Sequence, residues 1–460
     1  MRIFEIILIG IGTLIPFLSS LGIFDKRKGL ICSFVIGLLL LHLLFEGYRW
    51  QMFPAYLMLF ISCVIILRQW KIMSKRKRSI IYIFSFSLFL IFPSWFLPSV
   101  LPVFELSTPT GNYQIGSKNI LIESTIPEII TNKDHENRKL MVKVWYPASI
   151  ENEKKEPYLD KGNRNGFSKK YNLPEFTTNH LDYVKTNTFE NPQMADGNFP
   201  ILIFSHGLYS EANGYYSIIE EIVSHGFIVL NINHTYESTG SLFPNGEVLF
   251  FNKEFDQKNN NAQMAEMAWN ASQNYAKAKN DIERLNATEY LIKNYAGAEI
   301  TKRWSKDITI ILNELDKWEN DSFWSKGADF SKIGAFGHSQ GGSAIGQVLL
   351  EDNKIIAGIN IDGAQWGNLL DTTFNKPFLW ISSDWPKEHM NINKFSYRNL
   401  PDKTFNKHIV KNSGHSNFMD IPLMVNLSFI NEAGSIKPHE AYRETTKLIV
   451  DFFNKNLNKD

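Results

Sequence analysis

The sequence predicts a mixed α/β protein, with a mostly parallel sheet carrying helices on both faces, preceded by an N-terminal bundle of about four transmembrane helices. Three observations carry this expectation. Four long apolar runs fill the first 103 residues. After them, short β-rich runs alternate with helical stretches, the pattern of strand–helix–strand units. Several of the β-rich runs are apolar almost throughout, as strands buried on both faces are. Two domains follow: a helical anchor over 1–103 and a sheet-containing domain over 104–460.

The apolar runs are Ile3–Phe24, Leu30–Phe45, Met52–Ile66 and Ile80–Val103. Each extends to near the ~20 residues that a helix needs to cross the hydrocarbon of a bilayer. A cleaved signal peptide fits poorly, because three more runs follow the first. Basic residues mark the links. Lys26, Arg27 and Lys28 follow the first run, and Arg68, Lys71, Lys75, Arg76, Lys77 and Arg78 follow the third. The second link carries only Arg49 beside Glu46. The positive-inside rule then puts the first and third links in the cytoplasm and the large C-terminal domain outside. The expected location is therefore the cell membrane, multi-pass and with an extracytoplasmic body. Both cysteines, Cys32 and Cys63, lie in apolar runs, so the outer body carries no thiol to misoxidise.

The 460-residue chain is 44% hydrophobic and 21% charged, the composition of a folded protein. Residues 1–102 hold 11 Lys/Arg against 3 Asp/Glu, and the remainder holds 37 against 44. A mildly acidic body argues against a nucleic-acid partner. The oligomeric state is not legible in the sequence.

Strands are expected at Met141–Tyr146, Pro200–Phe204, Phe227–Asn231, Lys332–Phe336, Ile355–Ile361, Pro377–Ser382 and Thr404–Lys411. Helices are expected at Tyr215–Ser224, Ala262–Lys293, Lys302–Glu319, Ser343–Glu351 and Glu440–Asn454. Asn152–Asn198 is polar and reads as surface loops. The long insertion 252–298 is rich in Asn, Ala and Lys. It reads either as a helical cap over a site or as a solvated surface insertion, and the sequence leaves both open.

The strongest local signal is Gly337-His338-Ser339-Gln340-Gly341-Gly342, a G-x-S-x-G pattern between a strand and a helix. Such a turn exposes a serine hydroxyl above a sheet, and small neighbours let strand and helix pass closely. Ser339 is the expected nucleophile of an α/β-hydrolase fold. The strand Ile201–Phe204 ends in Ser205-His206-Gly207-Leu208. In this fold the turn after an early strand gives one backbone N–H to the oxyanion, and the residue after the nucleophile gives the other. Leu208 and Gln340 are the expected donors, with His206 bracing the turn.

The expected chain order is serine, acid, histidine. Of the four histidines after Ser339, His408 lies in a strand pattern, His439 opens the last helix and His389 sits in a polar loop. His415 follows a strand, where a parallel sheet places its chemistry, and is chosen as the base. For the acid, Asp362 ends the strand after the nucleophile and Asp384 ends the next one. Topology does not separate them, and Asp371 is a weaker third candidate.

A family resemblance does separate them. Val144-Trp145-Tyr146-Pro147, Phe204-Ser205-His206-Gly207-Leu208, Ser224-His225-Gly226-Phe227-Ile228-Val229, the Ser339 motif, Ile359-Asn360-Ile361-Asp362 and His415-Ser416-Asn417-Phe418 occur in that order. Together they resemble the plasma-type platelet-activating-factor acetylhydrolase family and its bacterial relatives. The resemblance implies Asp362 as the acid. It also implies a calcium-independent carboxylic ester hydrolase that removes short or oxidised acyl chains from phospholipids, with membrane lipid as partner. Two features depart from the family: the four-helix anchor, and Gly363-Ala364-Gln365-Trp366-Gly367 in place of an apolar run.

No cofactor and no metal are expected, because His, Asp and Glu do not cluster at ligand spacing. No phosphate loop occurs. Two other readings stand beside the phospholipid one: a broad carboxylesterase or lipase on small esters, and a non-catalytic membrane interaction protein on a hydrolase fold.

Overall fold

In a computed structural model of the chain, residues 1–20, 23–24, 26–68, 77–131, 133, 135–386 and 389–458 are described. The chain divides into two units.

The first unit contains the helices α1 (Ile3–Ser20), α2 (Lys28–Phe45), α3 (Phe53–Arg68) and α4 (Lys77–Val100). Two helices, Lys28–Phe45 and Trp50–Arg68, are long and apolar enough to cross a membrane. Ile3–Ser19 and Ser85–Val100 are shorter apolar helices. The expectation of four crossings is therefore met in length by two helices, and these two point to membrane association. Of the basic residues used for orientation, Lys71, Lys75 and Arg76 lie outside the described residues.

Arg49 and Glu46 turn out to be structural. Buried Arg49 donates to Glu5 Oε2 at 2.7 Å and to the Leu101 carbonyl at 2.8 Å. Glu46 Oε1 accepts the Phe4 N–H at 2.9 Å. Buried charges survive only when paired, and this cluster gathers the start of α1, the end of α2, the start of α3 and the end of α4. The helices thus run alternately up and down. Two later segments, Phe176–Val184 and Leu423–Asn431, belong to this unit, although the sequence division leaves them in the second domain. Trp50 Nε1 donates to the Thr177 carbonyl at 3.0 Å, and Asn426 N–H to the Val100 carbonyl at 2.8 Å.

The second unit is built on an eleven-stranded sheet. Its strands are β1 (Gln114–Pro127), β2 (Asn137–Ser149), β3 (Lys155–Pro157), β4 (Lys185–Glu190), β5 (Gln193–Met194), β6 (Phe199–Ser205) and β7 (Ile228–Asn233). After the separate hairpin β8 (Gly240–Leu242) and β9 (Val248–Phe250) come β10 (Ala328–His338), β11 (Ile355–Ile361), β12 (Phe378–Ser382) and β13 (Phe405–Ile409). The spatial order is β13-β12-β11-β10-β6-β7-β2-β1-β4-β3, with β5 on β2. From β13 to β7 every pairing is parallel, and β2 joins antiparallel to β7. All seven expected strands are found. β1 was not expected: its mixed burial leaves no continuous apolar run.

Helices α5 (Lys161–Lys170), α6 (Tyr216–Ser224), α7 (Lys253–Asn259), α8 (Ala262–Lys277), α9 (Asp281–Asn294), α10 (Gly297–Trp318) and α11 (Gln340–Glu351) and a C-terminal helix, Pro438–Leu457, complete the unit. Two expectations need correction. Asn152–Asn198 is not all loop. It holds α5, whose buried residues are Gly162, Asn163, Gly166 and Ser168. This helix packs by backbone approach, so no apolar stripe betrays it. The expected helix Ala262–Lys293 is two helices, because the Asn280 side chain accepts the Glu283 N–H and starts α9 afresh.

Chain order places the site. From β6 the chain crosses through α6 to β7 on one side, and β10 later returns to the other side of β6. Between β6 and β10 the winding reverses, and the crevice beyond the carboxyl ends of such a strand pair is where open α/β sheets bind ligands.

Candidate active site

Ser339 follows β10 with φ 56° and ψ −122°, a left-handed conformation that L side chains rarely adopt. The turn is held because the Ser339 N–H donates to the Ile361 carbonyl at 2.9 Å. A Cβ at Gly341 would collide with the Ser205 and His206 carbonyls, and one at Gly337 with the Gly341 backbone. The two glycines thus let β6, β10 and α11 meet backbone to backbone. α11 begins at Gln340, three residues earlier than expected, so the N–H groups of its first turn lie beside the serine. The Gln340 side chain is tied back to Thr301 Oγ1 at 2.7 Å and the Gly297 carbonyl at 3.1 Å.

After β6, the Gly207 N–H donates to Tyr215 Oη at 3.0 Å. The Tyr209 N–H donates to the Glu237 carbonyl at 2.7 Å, and the Ser210 N–H to the Gly207 carbonyl at 3.2 Å. Among the described residues the Leu208 N–H has no partner, so this turn leaves one donor free. His206 is fully buried, and burial holds its pKa well below the ordinary histidine value. Its Nδ1–H donates to the Gly207 carbonyl at 2.7 Å, so it braces the turn.

Asp362 follows β11 with φ 51° and is 7% exposed. Its Oδ2 meets His415 Nδ1 at 2.7 Å. Its oxygens also accept from Ser383 N–H and Oγ–H, each at 2.8 Å, and from Trp385 Nε1 at 2.9 Å. Burial favours the neutral acid, but the His415 and Ser383 hydrogen bonds prevail and hold the carboxyl below its usual range. Burial likewise opposes charge on His415, yet the hydrogen bond and charge of Asp362, with Glu432 nearby, raise its pKa above the ordinary value.

Asp384 lies between Ser383 and Trp385, both of which serve Asp362. Its own carboxylate turns away, to Lys411 Nζ at 3.3 Å and the Asn412 N–H at 3.1 Å. Asp371 faces Arg398. Of the other histidines, His408 pairs with Glu444 and His439 with Ser107, while His389 lines the site's cavity, stacked on Trp385.

Ser339, Gln340, Asp362 and His415 line one cavity of about 520 Å³. Trp366, Trp380, Trp385 and Tyr275 add aromatic wall. Sequence reasoning missed Ser383 and Trp385, which have no motif of their own. It also missed His338, whose ring lies 4.6 Å from that of His415. His338 Nε2 donates to the His415 carbonyl at 3.1 Å, and Tyr215 Oη donates to His338 Nδ1 at 3.0 Å. Burial, with the His415 charge, pushes the pKa of His338 down to about 3, so it stays neutral.

Comparison with known proteins gives first the class, then the family. The solved ferulic acid esterase from Streptomyces cinnamoneus shares the mixed α/β fold, with TM-score 0.60 and 20% identity over 78% of this chain and 94% of that one. Residues 102–460 match the model of platelet-activating factor acetylhydrolase, isoform II. The chain belongs to that family and is an ester hydrolase. The platelet-activating factor acetylhydrolase of Canis lupus familiaris is 24% identical over 329 residues, 67% of each chain. That of Bos taurus is 23% identical over 374 residues, 75% of this chain and 76% of its own. A probable 1-alkyl-2-acetylglycerophosphocholine esterase of Arthroderma benhamiae is 24% identical over 177 residues, 38% of this chain and 33% of its own.

Proposed function

We propose that this protein is a membrane-anchored serine esterase that cleaves short or oxidised acyl chains from the sn-2 position of phospholipids. One observation carries the mechanism: the 2.7 Å hydrogen bond between His415 Nδ1 and Asp362, in the cavity that Ser339 also lines. With Nδ1–H given to Asp362, Nε2 is left as the base. His415 takes the proton of Ser339 as Oγ attacks the ester carbonyl, and Asp362 stabilises the imidazolium. The N–H groups of Leu208 and Gln340 receive the oxyanion, each worth about 3 kcal/mol in such a site. His415 returns the proton to the departing alcohol, and water releases the acid.

Helices α7–α9 act as a cap, a reading supported by Tyr275 of α8 in the cavity wall. The helices over 1–103 serve as a four-span anchor that holds the body outside the cytoplasm. Protease digestion of intact cells tests this; a protected body refutes it. The phospholipid reading rests on family membership. Trp366, in the segment that departs from the family, favours a second reading, a broad carboxylesterase on small esters.

The test is hydrolysis by the full-length protein in detergent micelles, comparing sn-2 acetyl with long-chain sn-2 phospholipids and using Ser339→Ala as control. Serine-dependent release of acetate alone supports the proposal. Serine-dependent turnover confined to p-nitrophenyl acetate replaces the phospholipid with a small ester. Activity that survives in Ser339→Ala overturns the mechanism.

A further inference from the structure

The chain holds a second Ser–His–Asp relay, away from the cavity. Ser205 Oγ lies 2.8 Å from His234 Nε2, and His234 Nδ1 lies 2.8 Å from Asp307 Oδ2. Arg138 clamps Asp307, donating from Nε to Oδ1 at 3.0 Å and from Nη2 to Oδ2 at 2.6 Å. The His234 ring stacks on Trp304 at 3.8 Å. Ser205 and His234 are wholly buried and Asp307 is 2% exposed. None of the three lines the cavity.

The protonation pattern follows from the surroundings. Burial would neutralise Asp307, but Arg138 and His234 hold its carboxyl far below the usual range. Burial lowers the pKa of His234, so its ring is neutral. A neutral ring facing a carboxylate through Nδ1 carries its proton there, which leaves Nε2 to accept the Ser205 hydroxyl. Every hydrogen of the relay therefore has a single direction. No substrate reaches it, so it is not a second reaction centre.

Its connections run to the site. Ser205 is the last residue of β6 and pairs in register with Gly337, two residues before the nucleophile. Gly341 rests on the Ser205 carbonyl. The His234 N–H donates to His206 Nε2 at 3.2 Å, and His206 Nδ1–H donates to the Gly207 carbonyl at 2.7 Å. The relay thus pins both the end of β6 and the histidine that shapes the turn before Leu208.

We propose that Ser205, His234 and Asp307 are positioning residues for the oxyanion, a buried relay that fixes where the Leu208 N–H points. This rests on the serine-esterase reading above. The relay acts at a distance, through the turn, and its effect belongs to the transition state, where charge develops on the carbonyl oxygen.

The experiment uses the full-length protein in detergent and the variant Ser205→Ala. Three quantities are measured: kcat and KM on p-nitrophenyl acetate, the inhibition constant of an aryl trifluoromethyl ketone, and Tm. Ser339 Oγ adds to the ketone carbonyl with its proton passing to His415, so the adduct oxygen mimics the transition-state charge. The expected result is a 10–100-fold fall in kcat with KM within twofold, matched by an equal loss in ketone affinity. Ser205→Thr, which keeps the hydroxyl, should recover most of both. Should Ser205→Ala fail to fold, Ser205→Cys takes its place, because the weaker S–H donor should give a smaller loss of both quantities.

Unchanged kcat and ketone affinity in the folded variant overturn the inference. So does a fall in kcat with ketone affinity intact, or a lower Tm with full activity per folded molecule. A wild-type protein that the ketone neither inhibits nor modifies at Ser339 defeats the serine-esterase reading itself, a separate outcome.

Discussion

Two constellations of the same three residue types are built around one sheet and differ in almost every physical respect. Ser339 sits on a left-handed turn, and Ser205 ends a regular strand. His415 reaches a cavity of about 520 Å³, and its carboxylate partner raises its pKa above the ordinary value. His234 is sealed between Trp304 and Asp307, and burial lowers its pKa. The carboxylate of the first couple is held by neutral donors, Ser383 and Trp385. That of the second is held by the guanidinium of Arg138. Backbone strain and access, more than residue identity, separate the serine proposed to attack from the serine proposed to brace.

That contrast is open to direct attack. Ser339→Ala should lower kcat by about 10⁴-fold or more, because the nucleophile and base act as a unit. Asp362→Asn should cost about 10³–10⁴-fold through loss of the imidazole tautomer. On the proposed mechanism His415 must be neutral to act as base, so kcat/KM of the wild type should rise with pH through a pKa above the ordinary histidine value. Asp362 is what raises that pKa, so the residual activity of Asp362→Asn should show its acid limb at lower pH.

Arg138→Met tests the sealed couple. It leaves Asp307 and Glu128 buried without their cation and should destabilise the fold by about 3–5 kcal/mol, read by chemical denaturation. Trp385→Phe removes one hydrogen bond to Asp362 and should lower kcat about 10-fold, the scale of a bond to a charged group. Asp384→Asn should stay within about twofold, because its partners are Lys411 and the Asn412 backbone. A large loss there would reverse the assignment of the acid.

The legible parts of the molecule were those with a local cause. Continuous apolar runs gave the strands β6, β10, β11 and β12, buried on both faces. The glycines around Ser339 announced the turn because a Cβ there meets backbone. His415 was singled out from its place after a strand, and the structure sets it after β13 and against Asp362. Asp362 needed more than topology, since what separates it from Asp384 is the direction in which Ser383 and Trp385 point. α5 was hidden because it packs through Gly162 and Gly166. The break between α8 and α9 had a signal, Asn280 three residues before Glu283, that helical periodicity masked. The sealed relay was invisible: its three residues come from β6, the residue after β7, and α10, and no motif spans them.

The adjacency of β6 and β10 also bears on how the protein is born. The hydrogen bond between Tyr215 and His338 joins residues 123 apart in sequence, and it brings together the turn that holds Leu208 and the turn that holds Ser339. Contacts of such separation form late, since the intervening chain must first give up its freedom. While β10 is undocked, the emerging polypeptide has Ser339 without its turn, and the turn of Leu208 without the serine beside it. An ester hydrolase assembled in this way has no complete site while it is being made, and the first ester it cleaves reports that its sheet has closed.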